Sequence, residues 1–268
     1  MKYLYGFAIL LFCITSLHAQ DSSKSSYHLF NPTPRDKMRE FYIDRPDVTE
    51  SPNTVDAGHF QFEGDIFKWY KDFRGESPRT LFFLNGLYKM GLTNKLDIHI
   101  GVELYNVYQY PSGDTYRKGF GNMMVRLKYN FWGNEGDTKT ALGIIPYVKL
   151  PTSELSDDVA FGAGVPFSLK LNDALDFGAQ FQGDLTPDGM NGYDFSYLQT
   201  VVIGGALVGD LDFFAELAGI FSGDGSIYTL DGGLIYNVSP NVKVDIAANY
   251  GLVDDAYTTV FLGLSFRY

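Results

Sequence analysis

The chain has 268 residues, 32 Asp and Glu against 21 Lys and Arg for a net charge of −11, and a single cysteine. That balance excludes a nucleic-acid binder, which needs a basic face, and one cysteine leaves no disulfide framework to hold a fold. The 29 Gly, 19 Tyr and 22 Phe point instead to strands joined by tight turns.

The first element in chain order is an export signal. Lys2, an apolar run from Leu4 to Leu17, and Ala19 before Gln20 read as a signal peptide over residues 1–19. The run is too short to span a bilayer as a helix, and no later stretch reaches ~18 consecutive apolar residues. Phe12 precedes Cys13 where a lipoprotein would carry a small residue, so Cys13 reads as an ordinary signal-peptide residue and the exported chain has no cysteine.

Residues 20–57 form a second unit, read as a periplasmic or lumen-plug segment. "DSSKSS" is a flexible polar start. "TPRDKMREFY" reads as a short helix, with Thr33 as N-cap, Pro34 at the first helical position and Asp36 completing a capping pattern. "DRPDVTESPNTVDAG" has two prolines and no periodicity. Met38, Phe41, Tyr42 and Ile43 call for burial, and Arg39, Arg45 and Glu50 for charged partners, so residues 32–57 are expected to be an ordered plug.

From residue 58 to 268 one device repeats: about ten residues of alternating character, then a turn. "HFQFEGDIFKW" sets Phe60, Phe62 and Ile66 against Gln61, Glu63 and Asp65, and "LDIHIGVELY" and "NMMVRLKYNFW" do the same. A period of two assigns strands with one apolar and one polar face. About twelve strands are expected, at 59–70, 80–92, 95–108, 120–132, 139–151, 159–171, 174–184, 193–208, 211–222, 227–238, 241–251 and 257–268. The faces of 80–92, 193–208 and 211–222 are blurred. Odd connections tend to be long and acidic and even ones short, the asymmetry of extracellular loops and periplasmic turns.

The chain ends on "FLGLSFRY", with Val260, Leu262, Leu264, Phe266 and Tyr268 on one face. So many long apolar faces suit lipid better than a sandwich core, and a closed barrel satisfies every backbone group there. Trp69, Tyr70, Tyr105, Tyr108, Phe131, Trp132 and Tyr268 fall at expected strand ends, where an interfacial aromatic girdle belongs. The expected fold is therefore all-β: a transmembrane antiparallel β-barrel of about 12 strands, with an N-terminal plug-like segment, in a bacterial outer membrane. Its partners would be outer-membrane lipid and lipopolysaccharide, a small-molecule solute and the barrel insertion machinery, with no nucleic acid.

"DRPDVTESPNTVDAGHFQFE" also resembles the opening of a known family, the Putative MetA-pathway of phenol degradation family of outer-membrane proteins. The matching positions are Asp44, Arg45, Pro46, Thr49, Glu50, Ser51, Pro52, Gly58, Gln61 and Glu63. Further matches fall at Gly119, Gly121, Lys128, Tyr129 and Leu150, Pro151 and Thr152, although Ser153 stands where the family usually has Gly. The resemblance implies a transporter of aromatic or other hydrophobic small molecules.

Inward charges are the chemical signal. Arg126, Lys128, Lys149 and Lys170 are expected as a lumen basic patch across three strands. Glu63, Asp65, Asp97, Glu103, Asp176, Asp184, Glu216, Asp231 and Asp245 are expected as lumen acidic groups. Such charges could orient a solute in a channel or cross-link a closed lumen by salt bridges, and a barrel of ~12 strands is of intermediate width. Neutralising Arg126, Lys128 and Lys149 together is expected to change ion selectivity and leave folding intact. Of the exported histidines, His28, His59 and His99, only His99 lies beside carboxylates, Asp97 and Glu103, and no serine is placed to complete a triad. The "SDD" and "VDD" runs read as solvated loop tips. No enzyme, cofactor or metal site is expected. The leading function is passive passage of small molecules; the alternative is a structural or surface-interaction barrel with a closed lumen.

Overall fold

The structure, a computed structural model, describes residues 27–268 apart from 72–78, 84, 111, 113, 137, 154–157, 191 and 254–255. The signal peptide and "DSSKSS" lie outside the described residues, as do parts of "SDD" and "VDD". Fifteen strands run in chain order. The first seven are β1 (Phe60–Lys71), β2 (Arg79–Phe83), β3 (Gly86–Thr93), β4 (Leu96–Val102), β5 (Tyr105–Gln109), β6 (Thr115–Gly119) and β7 (Met123–Trp132). Then come β8 (Thr140–Leu150), β9 (Ala160–Lys170), β10 (Leu175–Pro187), β11 (Tyr193–Val208), β12 (Leu211–Ser222), β13 (Gly225–Ser239), β14 (Val242–Gly251) and β15 (Thr258–Arg267).

All pairings are antiparallel, and β15 returns to β1. The closed ring is β1, β3, β4, β7 and then β8 to β15 in order, which makes twelve staves. The seam is tied at its last residue: the Tyr268 amide donates to Phe60 O at 2.8 Å and the Phe60 amide to Tyr268 O at 3.1 Å. Closure leaves no sheet edge at this level of the wall.

The three remaining strands correct the expected continuity of staves two, three and four. Each is broken, into β2 and β3, β4 and β5, and β6 and β7. Beyond the breaks the upper pieces pair among themselves, β1 with β2, β2 with β5 and β5 with β6. The fourth stave also begins earlier than alternation suggested, since Thr115–Gly119 is strand and the break falls at 120–122. Conversely, β11 and β12, whose faces were blurred in sequence, are regular and pair along nearly their whole lengths.

The barrel is mainly polar inside, apart from an inward apolar cluster of Phe214, Ala247 and Phe261, and apolar outside. Inward positions hold Lys128, Asp97, His99, Asn130 and Ser265, all essentially buried, while Val201, Leu217, Leu230, Ile246, Val260, Leu262 and Phe266 are exposed on the outer face. In water that exterior would be a large apolar patch; against hydrocarbon it is the required surface. Tyr197 and Phe221 stack on it at 4.7 Å between ring centroids, part of an aromatic band across β10 to β13. Tyr105 does not sit at a stave end, because it opens β5 in the middle of the third stave.

Between Thr33 and Tyr42 the expected helix is absent. Only Arg35–Lys37 turn, as a 3-10 helix without a side-chain cap, and Met38 is already extended. The Thr33 hydroxyl has no partner; instead its backbone amide donates to Ala57 O at 2.9 Å and its carbonyl holds the buried His59 ring at 2.7 Å. Anchoring to the first stave outweighs the local capping signal.

Candidate functional site

Inward side chains come into register as rows across the broken part of the wall. One row runs Gln61, Lys89, His99, Arg126 and Tyr147 through β1, β3, β4, β7 and β8. The row toward the far end, away from the termini, runs Glu63, Leu87, Gly101, Met124 and Lys149. A bulge at Ile66, where β1 slips one residue against β15, turns Lys68 to the lumen side as well.

Residues 38–57 lie among these inward side chains and are bound to most of the staves. Asp44 is the centre. Its carboxylate accepts from Lys128 Nζ at 2.5 Å, Lys89 Nζ at 2.6 Å and the Ser51 amide at 3.0 Å, while its own amide donates to Glu63 at 2.8 Å. Lys89 also donates to Glu63, and Arg126 to Glu50. Burial alone would raise the Asp44 carboxyl, but the facing Lys128, Lys89 and Arg126 outweigh it and hold it well below the usual carboxylate range.

Arg45 reaches the opposite wall. It forms a two-pronged pair with Asp245, both contacts 2.8 Å, and a third bond to Asp65 at 2.8 Å. Glu216 accepts from the Val48 and Thr49 amides, each at 2.7 Å, and from the Thr49 hydroxyl. The Glu50 amide donates to Gln180 at 2.8 Å, the Asn130 side chain to Pro52 O at 2.9 Å and the Val55 amide to Asp97 at 2.8 Å. Arg39 pairs with Asp56 at 2.7 Å, near Arg267 at the seam. Asp47 lacks such a cation: burial first, then the neighbouring Glu216 charge, push its carboxyl well above the usual range.

Glycine makes room for this packing. A Cβ on Gly263 would lie 1.8 Å from Arg45, one on Gly91 2.1 Å from the Asp56 carbonyl, and one on Gly143 3.1 Å from Pro52 O. These inward glycines are part of the site, and sequence reasoning missed them. Their signal was present as glycine at inward phase within strands, where no turn requires it.

The sequence-predicted residues are thus placed unequally. Arg126 and Lys128 are buried counter-ions of Glu50 and Asp44, and Arg39, Arg45 and Glu50 all find charged partners. Lys149 is half-exposed and meets Glu103 at 3.4 Å; Glu103 also accepts from Asn106 at 3.1 Å. Lys170 is not brought to the other three: it lies at a turn near the termini, paired with exposed Asp173. Asp176 sits at the same rim, whereas Asp184 accepts from Tyr147 and Gln182. Asp231 is buried opposite Glu216 with one oxygen unpartnered. His99 Nε2 is 2.8 Å from Asp97 without hydrogen-bond alignment, and among the described residues no serine bonds either ring nitrogen.

On the far-end side of residues 44–50 is a cavity of about 380 Å³. Arg45, Lys68, Leu87, Met124, Arg126 and Lys149 are in its lining, and so are Asn85, Glu103 and Asn122, at the three stave breaks. A smaller cavity of about 240 Å³ lies outside it, between Tyr108, Arg117, Phe120 and Ser153.

The family model described as Putative MetA-pathway of phenol degradation matches residues 43–268, from the residue before Asp44 to the end of the last stave. The chain belongs to this family. Its fold is shared with solved porins and channels at low identity. The COG4313 outer membrane channel from Pseudomonas putida F1 superposes with a TM-score of 0.59 at 10% identity, covering 84% of this chain and 100% of that one. NanC porin gives 0.56 at 12% identity, over 77% of this chain and 98% of that one. KdgM porin gives 0.53 at 10% identity, over 78% and 98%. No curated protein matches. A closed twelve-stave barrel with an apolar exterior, in this family, is an outer-membrane protein of porin-like architecture.

Proposed function

We propose that the protein is a passive channel for small molecules, hydrophobic and aromatic ones among them, in the outer membrane of a Gram-negative bacterium. Residues 1–19 are its export signal and residues 38–57 a plug that narrows the passage. The observation that carries this reading is the cavity at the stave breaks, wide enough for a small solute and mixed in lining, directly above the ion-paired segment. The family description and the porin-like neighbours support it. In this reading the barrel supplies neither energy nor catalysis; among the described residues no serine bonds His99, whose Nε2 lies 2.8 Å from Asp97 without hydrogen-bond alignment.

The test is permeation. Full-length protein refolded into liposomes should admit phenol-sized solutes faster than empty liposomes, and faster than disaccharides. No entry of any solute, from barrels that still shift on a heat-modifiability gel, would refute the channel. The density of buried ion pairs across the lumen favours the second reading, a closed structural barrel, in that event.

A further inference from the structure

The cavity above Asp44 has two chemically distinct sides. Its floor is the row Glu63, Leu87, Gly101, Met124 and Lys149. Glycine at 101 lets the neighbouring apolar side chains meet: a Cβ there would lie 3.2 Å from the Met124 terminal methyl and 3.6 Å from Leu87 Cδ1. The middle of the floor is therefore apolar, as is the inward cluster of Phe214, Ala247 and Phe261 on other staves.

The ends of that row differ. Glu63 is neutralised, its oxygens taken by Lys89, Gln61 and the Asp44 amide. At the other end the balance is reversed. Arg126 spends its Nη2 on Glu50, yet its Nε has no hydrogen-bond partner although the side chain is only 8% exposed. Beside it Lys149, in register with Met124, is 42% exposed and held only by Glu103 at 3.4 Å. A buried guanidinium donor without an acceptor costs free energy that an incoming oxygen would recover. The acidic groups of the lining have their donors already, so a cationic ligand gains no comparable partner.

We infer that this cavity is a binding site for small amphipathic carboxylates, an aromatic or short aliphatic body with one anionic end. The carboxylate accepts from Arg126 Nε and Lys149 Nζ, and the apolar body lies on Met124, Gly101 and Leu87. The site rests on the channel reading for its role, as the place where a passing solute pauses, and it adds charge selection to apolar preference. Anions of this kind have a high desolvation cost, and two cations at the floor of an acidic barrel offset it.

The experiment uses full-length protein in lipid nanodiscs, with benzoate, benzyl alcohol, benzylamine and acetate as probes in calorimetric titrations against empty nanodiscs. Benzoate is expected to bind at least about tenfold more tightly than benzyl alcohol or benzylamine, which lack the anion, and than acetate, which lacks the ring. Lys149→Gln should weaken benzoate about tenfold without affecting folding, because Lys149 is half-exposed, and Met124→Ser should weaken benzoate while leaving acetate unchanged. Equal binding of benzoate and benzyl alcohol, or benzoate binding indifferent to both variants, would overturn the site. Liposome permeation separates the two readings: benzyl alcohol entry without benzoate binding sinks this site and keeps the channel. Benzoate binding without entry of any solute keeps the site and sinks the channel.

Discussion

From β10 to β15 the wall is a plain meander. Each strand pairs with the next over nearly its full length, as Leu175–Pro187 does with Tyr193–Gly205, and the region meets residues 38–57 mainly through the acceptors Gln180, Glu216 and Asp245, with Arg267 as a donor at the seam. From β1 to β8 the wall is interrupted in three staves, carries Lys89, Arg126 and Lys128 inward, and encloses the larger cavity. One side of the barrel is a regular scaffold, and the other is interrupted and lines the cavity. Anions of residues 44–50 face the basic side and their amides and Arg45 face the acidic side, so the segment is oriented by charge as well as by shape.

The largest test of that contrast strips the basic side of its counter-ions. Asp44→Asn with Glu50→Gln leaves Lys128 and Arg126 buried without a carboxylate and Lys89 with Glu63 alone, at a cost of about 3–5 kcal/mol for a broken buried pair. Single-channel conductance should rise several-fold as the segment leaves; unchanged conductance in a folded barrel would show that it does not obstruct. The same geometry revises the expectation that neutralising Arg126, Lys128 and Lys149 together leaves folding intact, because the first two anchor residues 44 and 50. Only Lys149 can be altered without touching those anchors.

A steric version sharpens the comparison with one variant on each side, Gly263 on β15 and Gly91 on β3. Gly263→Val would drive a side chain into Arg45, and Gly91→Val into the Asp56 carbonyl, so limited proteolysis should begin to cut within residues 38–57 while the heat-modifiability shift persists. Continued protection in both variants would contradict the packing described here. A smaller, pH-dependent effect belongs to Asp47. Its folded carboxyl is raised, so the folded chain keeps a proton that the unfolded chain releases above its ordinary range near pH ~4, and stability falls as pH rises past that point. Asp47→Asn should therefore melt higher than the parent at about pH 8 and match it at about pH 3. A constant difference across that range would remove the titration from the account. Least of all, Leu217→Ala on the lipid face of β12 should change the thermal midpoint little and conductance not at all, an effect of about 0.5 kcal/mol.

Much of the wall was legible because lipid and lumen impose opposite polarity at alternate residues. Twelve staves, their order and the outward face of the last strand follow from that alternation. The breaks were not legible: Gly86, Gly101 and Gly121 look like ordinary strand or turn glycines until neighbouring staves interrupt at one level. Residues 33–42 misled for a different reason. Thr33, Pro34 and Asp36 satisfy helix-capping rules locally, but the Thr33 backbone groups are claimed by Ala57 and His59, which sequence places more than twenty residues away. Among the site residues, pairing of Arg39, Arg45 and Glu50 was readable from charge in an otherwise burial-prone stretch, while the partners were not, since Asp245 lies 200 residues from Arg45.

That separation has a consequence for synthesis and assembly. Residues 38–57 emerge before any stave, yet Arg45 reaches Asp245 on β14 and Arg39 meets Arg267 through Asp56 at the very end of the chain. A segment that precedes every stave is thus fastened by the last two. A barrel lacking its final hairpin would lose the Arg45–Asp245 and Asp56–Arg267 contacts together with the seam between Phe60 and Tyr268.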